Sequence, residues 1–308
     1  MPRDCPLVEV TQKTIRGRFL LRPDKDFNEV FLGCLGRAQR LYPVEIMGVV
    51  CLSNHYHLLV RVEPERCLSE FMWYLNTNLA KEVNRLRRTS GPLWARRFHH
   101  APVVDEASQI KRFRYLLSHG VKEHLVKRCR RWPGVHLAKP LLDGERGKLR
   151  GFWFNRTREY NAKLRGEKPE KYDFAEEMTV ELSKLPCMEE LSDEQYRRWV
   201  KEQVHEIETT YEAEREREGL EVLGAQQVRR ADPFDAPKKM KKSPAPRVHA
   251  ATKVARKAFY EAYSWFLAAY REAAEKLKAG VVDVVFPEGC FPPAMPYVPY
   301  EGTAPRPP

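Results

Sequence analysis

The 308-residue chain has no apolar run approaching the roughly 20 residues that a membrane-spanning helix needs, which argues against a helical membrane protein. It also lacks any CxxC pair. Its seven cysteines stand apart at positions 5, 34, 51, 67, 129, 187 and 290, an odd number. That spacing points away from a zinc knuckle or disulfide framework and towards reduced thiols that behave as small hydrophobes. Met1-Pro2-Arg3-Asp4-Cys5 leads into no apolar signal stretch, so a cytoplasmic setting is expected. No internal repeat is visible. What the chain has in excess is positive charge: 54 Lys and Arg against 42 Asp and Glu leave +12. A polyanionic partner follows from that balance, and nucleic acid is favoured over an anionic membrane.

The first part alternates strand and helix signals. Residues 7–21 read as an extended basic segment, and Pro23-Asp24 opens a helix to about Tyr42 with Phe27, Val30, Phe31, Leu35 and Ala38 at helical spacing. Val44 to Leu52 and His55 to Val62 read as a hairpin turned at Ser53-Asn54. Leu68 to Arg88 is a second helix broken at Ser90-Gly91-Pro92, Arg97 to Val104 a further strand, and Asp105 to about Leu125 a third helix. This order predicts an α+β domain, one antiparallel sheet with helices packed on one face. The expected division is a domain at 1–150, a Glu-rich helical extension without a strong apolar core at 151–225, a basic linker at 226–249, an amphipathic helix at 250–280 and a Pro-rich tail at 281–308. In the amphipathic helix Phe259, Tyr263, Phe266 and Tyr270 form a stripe, and Gly280 is its stop. That stripe could pack back on the domain or support a homodimer.

Cys51-Leu52-Ser53-Asn54-His55-Tyr56-His57-Leu58-Leu59-Val60 is the most informative segment. Residues i and i+2 of a strand share a face, so both imidazoles project one way and Tyr56, Leu58 and Val60 the other. Two neutral imidazoles about 7 Å apart at their Cα atoms can chelate one divalent ion. Two polar residues on the wet side of a half-buried strand are the plain alternative. The third helix carries Tyr115 and His119 at i, i+4 spacing, with Lys111 and Lys122 on the same face and Phe113, Leu116 and Leu117 largely opposite. A helix-surface Tyr beside a helix-surface His is the plain alternative there.

His-hydrophobe-His after a Ser-Asn turn, a later basic Arg-Phe strand and an Arg-Tyr helix resemble the HUH single-tyrosine transposases, in particular the REP-associated tyrosine transposases and their insertion-sequence relatives. The stretches that carry the resemblance are Asn54 to Val60, Leu75-Asn76 through Asn84-Arg85, Gly91 to Phe98 and Arg114 to Val121. They span roughly residues 7–135, under half of the chain. The resemblance implies a ferredoxin- or RRM-like catalytic domain. It also implies His55 and His57 as metal ligands, Tyr115 as nucleophile and a divalent ion, Mg²⁺ or Mn²⁺, as cofactor. The third ligand of such families, commonly Asn or Gln, lies four residues after the tyrosine. Here that position is His119, a competent donor for Mn²⁺ and a softer one than an amide for Mg²⁺. Their Asn-Pro-Val-Arg run is replaced by His119-Gly120-Val121-Lys122.

The activity implied is cleavage and rejoining of single-stranded DNA at hairpin-flanked sites through a 5′-phosphotyrosine. Tyr115, with an ordinary pKa near 10, would be activated by the cation and by Lys111 or Lys122. Arg16, Arg18, Arg85, Arg87, Arg88, Arg96, Arg97, Lys111 and Lys122 are expected to contact DNA, the arginines at phosphates, with His99 and His100 at phosphates or bases. Trp73, Tyr74, Trp94 and Phe98 are expected either to stack on unpaired bases or to pack in the core. No nucleotide cofactor is expected, and association with a bacterial nucleoid is. Two rivals share these residues: a domesticated regulator that binds hairpin DNA without cutting it, and a replication-initiator or relaxase-like nickase.

Overall fold

Leu7–Lys13, in which Val8 and Val10 alternate with Glu9 and Thr11, forms the first strand, β1, of a computed structural model that describes residues 7–62, 66–238, 246–281, 283–290 and 292–293. The chain then enters helix α1 (Lys25–Leu41), whose N-cap Asp24 accepts a hydrogen bond from the Phe27 amide at 2.9 Å. Strands β2 (Val44–Cys51) and β3 (His55–Val62) make the expected hairpin, and helix α2 (Arg66–Arg87) follows. Strand β4 (His99–Pro102) leads to helix α3 (Glu106–Ser118), capped by the Asp105 carboxylate.

The four strands lie in the order β2-β3-β1-β4, and every neighbouring pair is antiparallel. Val8 and Val10 of β1 with Tyr56, Leu58 and Val60 of β3 face α1 and α2, where Phe31, Leu35, Phe71 and Leu75 close the larger core. The α+β class and antiparallel sheet are as expected, and α1 and α2 cover one face. The other face is not left to solvent: Leu7, Met47, Val50 and Leu59 pack against Phe113, Leu116 and Leu117 of α3.

The helix expected to reach Leu125 stops at Ser118. Gly120, two residues on, takes φ +85°, a left-handed conformation that only glycine adopts cheaply, and the chain folds back so that Leu125 and Val126 both donate to the Gly120 carbonyl. His119 therefore caps the helix instead of riding on it.

Beyond helix α4 (Ala138–Asp143) the region expected to be helical holds a strand pair. Strand β5 (Leu149–Phe154) pairs antiparallel with β6 (Ala175–Val180), with helix α5 (Arg156–Leu164) between them. This ribbon lies directly on α1, because Gly33 and Gly151 remove the side chains that would hold the backbones apart. A Cβ at Gly33 would meet the Phe152 carbonyl oxygen at 2.0 Å.

Helix α6 (Asp193–Glu218), started by a Ser192/Gln195 capping box, buries Tyr196, Val200, Val204 and Ile207 in the α3-side core, so this Glu-rich segment does have an apolar stripe. The described part of the expected linker contains helix α7 (Ala225–Arg230) and docks on the body: Phe19 donates to the Asp235 carbonyl and Arg22 to that of Ala231. Lys239, Lys241 and Lys242, and the tail from 294 on, fall outside the described residues.

Helix α8 (Lys253–Lys278) ends just before Gly280 as expected, with Phe259 and Tyr263 stacked. Among the described residues no helix is long and apolar enough to cross a membrane. The described cysteines are all free, four of them buried.

Candidate metal and nucleophile site

The pleat of β3 sends His55 and His57 to the face covered by α3, with ring centres 5.1 Å apart. The early stop of α3 swings His119 over them. Its ring centre lies 4.8 Å from that of His57 and 5.8 Å from that of His55, and one ligand atom from each of the three rings lies within 4.8 Å of the others.

Each ring is oriented from behind through Nδ1. His55 Nδ1 lies 2.7 Å from Asn54 Oδ1, His57 Nδ1 lies 3.0 Å from both Glu9 Oε1 and Thr11 Oγ1, and His119 Nδ1 lies 2.9 Å from Glu123 Oε1. Carboxylate and amide oxygens only accept, so each Nδ1 is assigned as the N–H, which leaves the Nε2 lone pairs as the possible ligand atoms, that of His119 facing Lys122 Nζ at 3.5 Å. This is the arrangement that metal-binding histidines use: outer partners fix the tautomer and raise the basicity of the donor nitrogen. Burial lowers the pKa of all three rings, well below the ordinary value for His55 and His119, and the neutral form is the one that binds a cation. The donor set therefore fits a divalent ion.

Behind His57, Glu9 is 3% exposed. Burial alone would raise its carboxyl, but contacts from His249 and His57 and the Arg112 charge hold it well below the usual carboxylate range. Glu123 braces the turn after α3 by also accepting from the Gly120 amide at 2.6 Å.

Tyr115 lies on the last turn of α3, its ring centre 4.7 Å from that of His119 and 5.6 Å from that of His57 within one chain. The cations against its ring are Lys122, at 3.4 Å from the centre, and Arg112, at 3.9 Å. Lys111, expected beside the tyrosine, is exposed, and Arg112 takes that place. Burial raises the phenol above its ordinary value despite the Arg112 charge, so Tyr115 rests protonated. Burial lowers the Lys122 ammonium to about 8.

The arginines divide. Arg16, Arg96 and Arg97 are exposed and Arg18 half-exposed. The turn that bears Arg16 and Arg18 packs on Asn54, whose amide donates to the Gly17 carbonyl at 3.2 Å, and Gln12 holds the Arg96 carbonyl at 3.1 Å. These positions surround the end of the sheet where Lys13 pairs with His55. Arg85 and the exposed Arg88 lie at the end of α2, and Arg85 is paired with Glu159 at 2.8 Å. Arg87 is structural: 6% exposed, it binds Asp24 and the carbonyls of Leu20 and Arg22.

His99 sits opposite Thr11 on the site face, and His100 opposite Val10 on the other. Of the four aromatics, Trp73 stands 67% exposed, while Tyr74, Trp94 and Phe98 pack on the core. Glu9, Thr11, Arg112 and His249 carried no sequence signal, since their roles depend on strand register. Glu123, four residues after His119, was open to discovery by spacing.

The sequence profile of the family described as Transposase IS200 like matches residues 20–118, which include His55, His57 and Tyr115 and end one residue short of His119. Among solved structures, a REP-associated tyrosine transposase bound to a REP hairpin is 20% identical over 42% of this chain and 74% of its own, with a TM-score of 0.35. A candidate transposase from Deinococcus radiodurans is 14% identical over 35% of this chain and 86% of its own, with a TM-score of 0.27. No curated protein matches the chain. The stretch that carries the paired histidines and the tyrosine is therefore similar to the IS200-like transposases, over well under half of the chain.

Proposed function

We propose that this protein is a DNA transposase that cuts and rejoins single-stranded DNA at hairpin-flanked sites, with Tyr115 as nucleophile and His55, His57 and His119 holding Mg²⁺ or Mn²⁺. The observation that carries this reading is the placement of the Tyr115 ring against two of the three histidines in one chain, without help from a partner subunit.

When bound, a divalent ion supplies polarisation of a phosphate oxygen and stabilisation of the departing 3′ oxygen. The protein's own part begins with orientation: Asn54, Glu9, Thr11 and Glu123 hold the three imidazoles with Nε2 turned to the site. The Tyr115 oxygen attacks phosphorus, the bond to the 3′ oxygen breaks, and the products are a 5′-phosphotyrosine and a free 3′-OH. The phenolic proton leaves as the new bond forms and the departing oxygen takes one up, so the step is proton-neutral. Bond energy is conserved in the ester, and an incoming 3′-OH can reverse the step to join new DNA. Lys122 and Arg112, both against the ring, would offset the charge of the incoming phosphate. Arg16, Arg18, Arg96 and Arg97 would hold its flanks.

Incubating the full chain with labelled single-stranded hairpin DNA and Mn²⁺ tests the proposal. A protein–DNA adduct that survives denaturant is expected for wild type. Hairpin binding with no adduct under any metal would favour the regulator that binds without cutting.

A further inference from the structure

We infer that the C-terminal segment is built into this centre, and that His249 is a positioning residue which acts on His57 through Glu9. The inference rests on the metal-site reading above.

Residues around 249 return to the edge of the sheet after the long excursion through β5, β6 and α6. The His249 amide donates to the Pro102 carbonyl at 2.8 Å and its own carbonyl accepts from Val104 at 3.1 Å, a parallel bridge to Val103 just beyond β4. Two residues on, the Asp105 carboxylate accepts from the Ala251 amide at 2.8 Å through Oδ2, while its Oδ1 caps α3 through the Ser108 amide at 2.7 Å. One carboxylate thus ties this segment to the start of the helix that carries Tyr115.

Between these anchors the His249 side chain, 14% exposed, points inward, and its Nε2 lies 2.8 Å from Glu9 Oε2. Arg112 Nε lies 2.6 Å from the same oxygen, while Oε1 takes Arg112 Nη2 at 2.8 Å and His57 Nδ1 at 3.0 Å. Oε1 is held by its two hydrogen bonds, whereas Oε2 meets His249 and Arg112 as close charge contacts outside hydrogen-bond geometry. Loss of the His249 nitrogen removes one of the two groups that hold this buried oxygen in place. The carboxylate can then rotate away from His57. The segment after the linker therefore touches both halves of the centre, His57 through Glu9 and the tyrosine helix through Asp105.

The test is titration of the full chain with Co²⁺, read by the visible absorption of the bound ion, on wild type, His249→Phe, His249→Gln and His249→Asn. An amide on the longer Gln chain can still donate to Glu9, Phe keeps the bulk without a donor, and Asn is too short to reach. Affinity is expected to fall about tenfold in the Phe and Asn variants, the low end for outer partners of a ligand, and to stay near wild type in Gln. The exposed His205→Ala serves as control. If wild type binds Co²⁺ and the Phe or Asn variant, whichever folds, binds it equally well, the inference is overturned and the site reading stands. If wild type takes up no Co²⁺, both fall.

Discussion

The rings of His57 and His119 stack with centres 4.8 Å apart and 27° between their planes. One comes from the second strand of the sheet and the other from the turn that ends α3, so the contact exists only because the helix stops where it does. Gly120 makes that stop, at φ +85° and with the Trp132 ring 3.0 Å from where a Cβ would stand. Gly120→Ala should destabilise the fold by roughly 1–3 kcal/mol and displace His119, lowering Mn²⁺ affinity at the same time. Urea midpoints and Mn²⁺ titration read the two effects. A loss of stability with unchanged Mn²⁺ affinity would separate His119 from the site.

Arg87 and Arg96 look alike in the sequence and differ in the fold. Arg87→Ala strips Asp24 of a buried partner and should cost about 3 kcal/mol, the scale for breaking such a pair. Arg96→Ala should leave stability within about 0.5 kcal/mol. It should also reduce the salt slope of single-stranded DNA binding by about 1. Equal stability of the two variants would contradict the assignment of Arg87 as structural.

His136 is fully buried, accepts from the Ala138 amide through Nδ1, and is pushed by burial down to about 3. Its folded pKa lies below the ordinary 6.5, so its contribution to stability is complete above that value and is lost as the pH falls towards 3. The loss from this one proton approaches about 1.4 kcal/mol per pH unit. His136→Gln has no ring to titrate, so the gap in stability between wild type and variant should narrow from pH 7.5 to 5. A gap that stays constant would mean His136 does not titrate in this range.

Much of the front of the molecule was legible because periodicity and punctuation agree there: Asp24 and Asp105 open helices, and the Ser53-Asn54 turn sets the two histidines on one face. Tyr115 and His119 were legible by spacing, though for a reason that needed correction, since His119 reaches the site by leaving the helix. The ribbon of β5 and β6 was not legible. Ala175–Val180 carries two adjacent glutamates that read as helix surface, and its partner β5 is held by the close approach of its own Gly151 to Gly33 of α1, which leaves no hydrophobic signal. Glu9 and His249 were invisible for a related reason. Only the pairing of β1 with β3, and of residue 249 with Val103, brings them to His57.

The account stands most directly on where the DNA becomes attached. Wild type and Tyr115→Phe should be incubated with hairpin DNA and Mn²⁺, the products digested with nuclease and protease, and the nucleotide-bearing peptide sequenced by mass spectrometry. The account predicts one modified peptide, with a 5′-phosphate ester on Tyr115, and none in the Phe variant, whose fold should persist because only a hydroxyl is lost. A nucleotide on any other residue, or an adduct that forms equally in Tyr115→Phe, would contradict it.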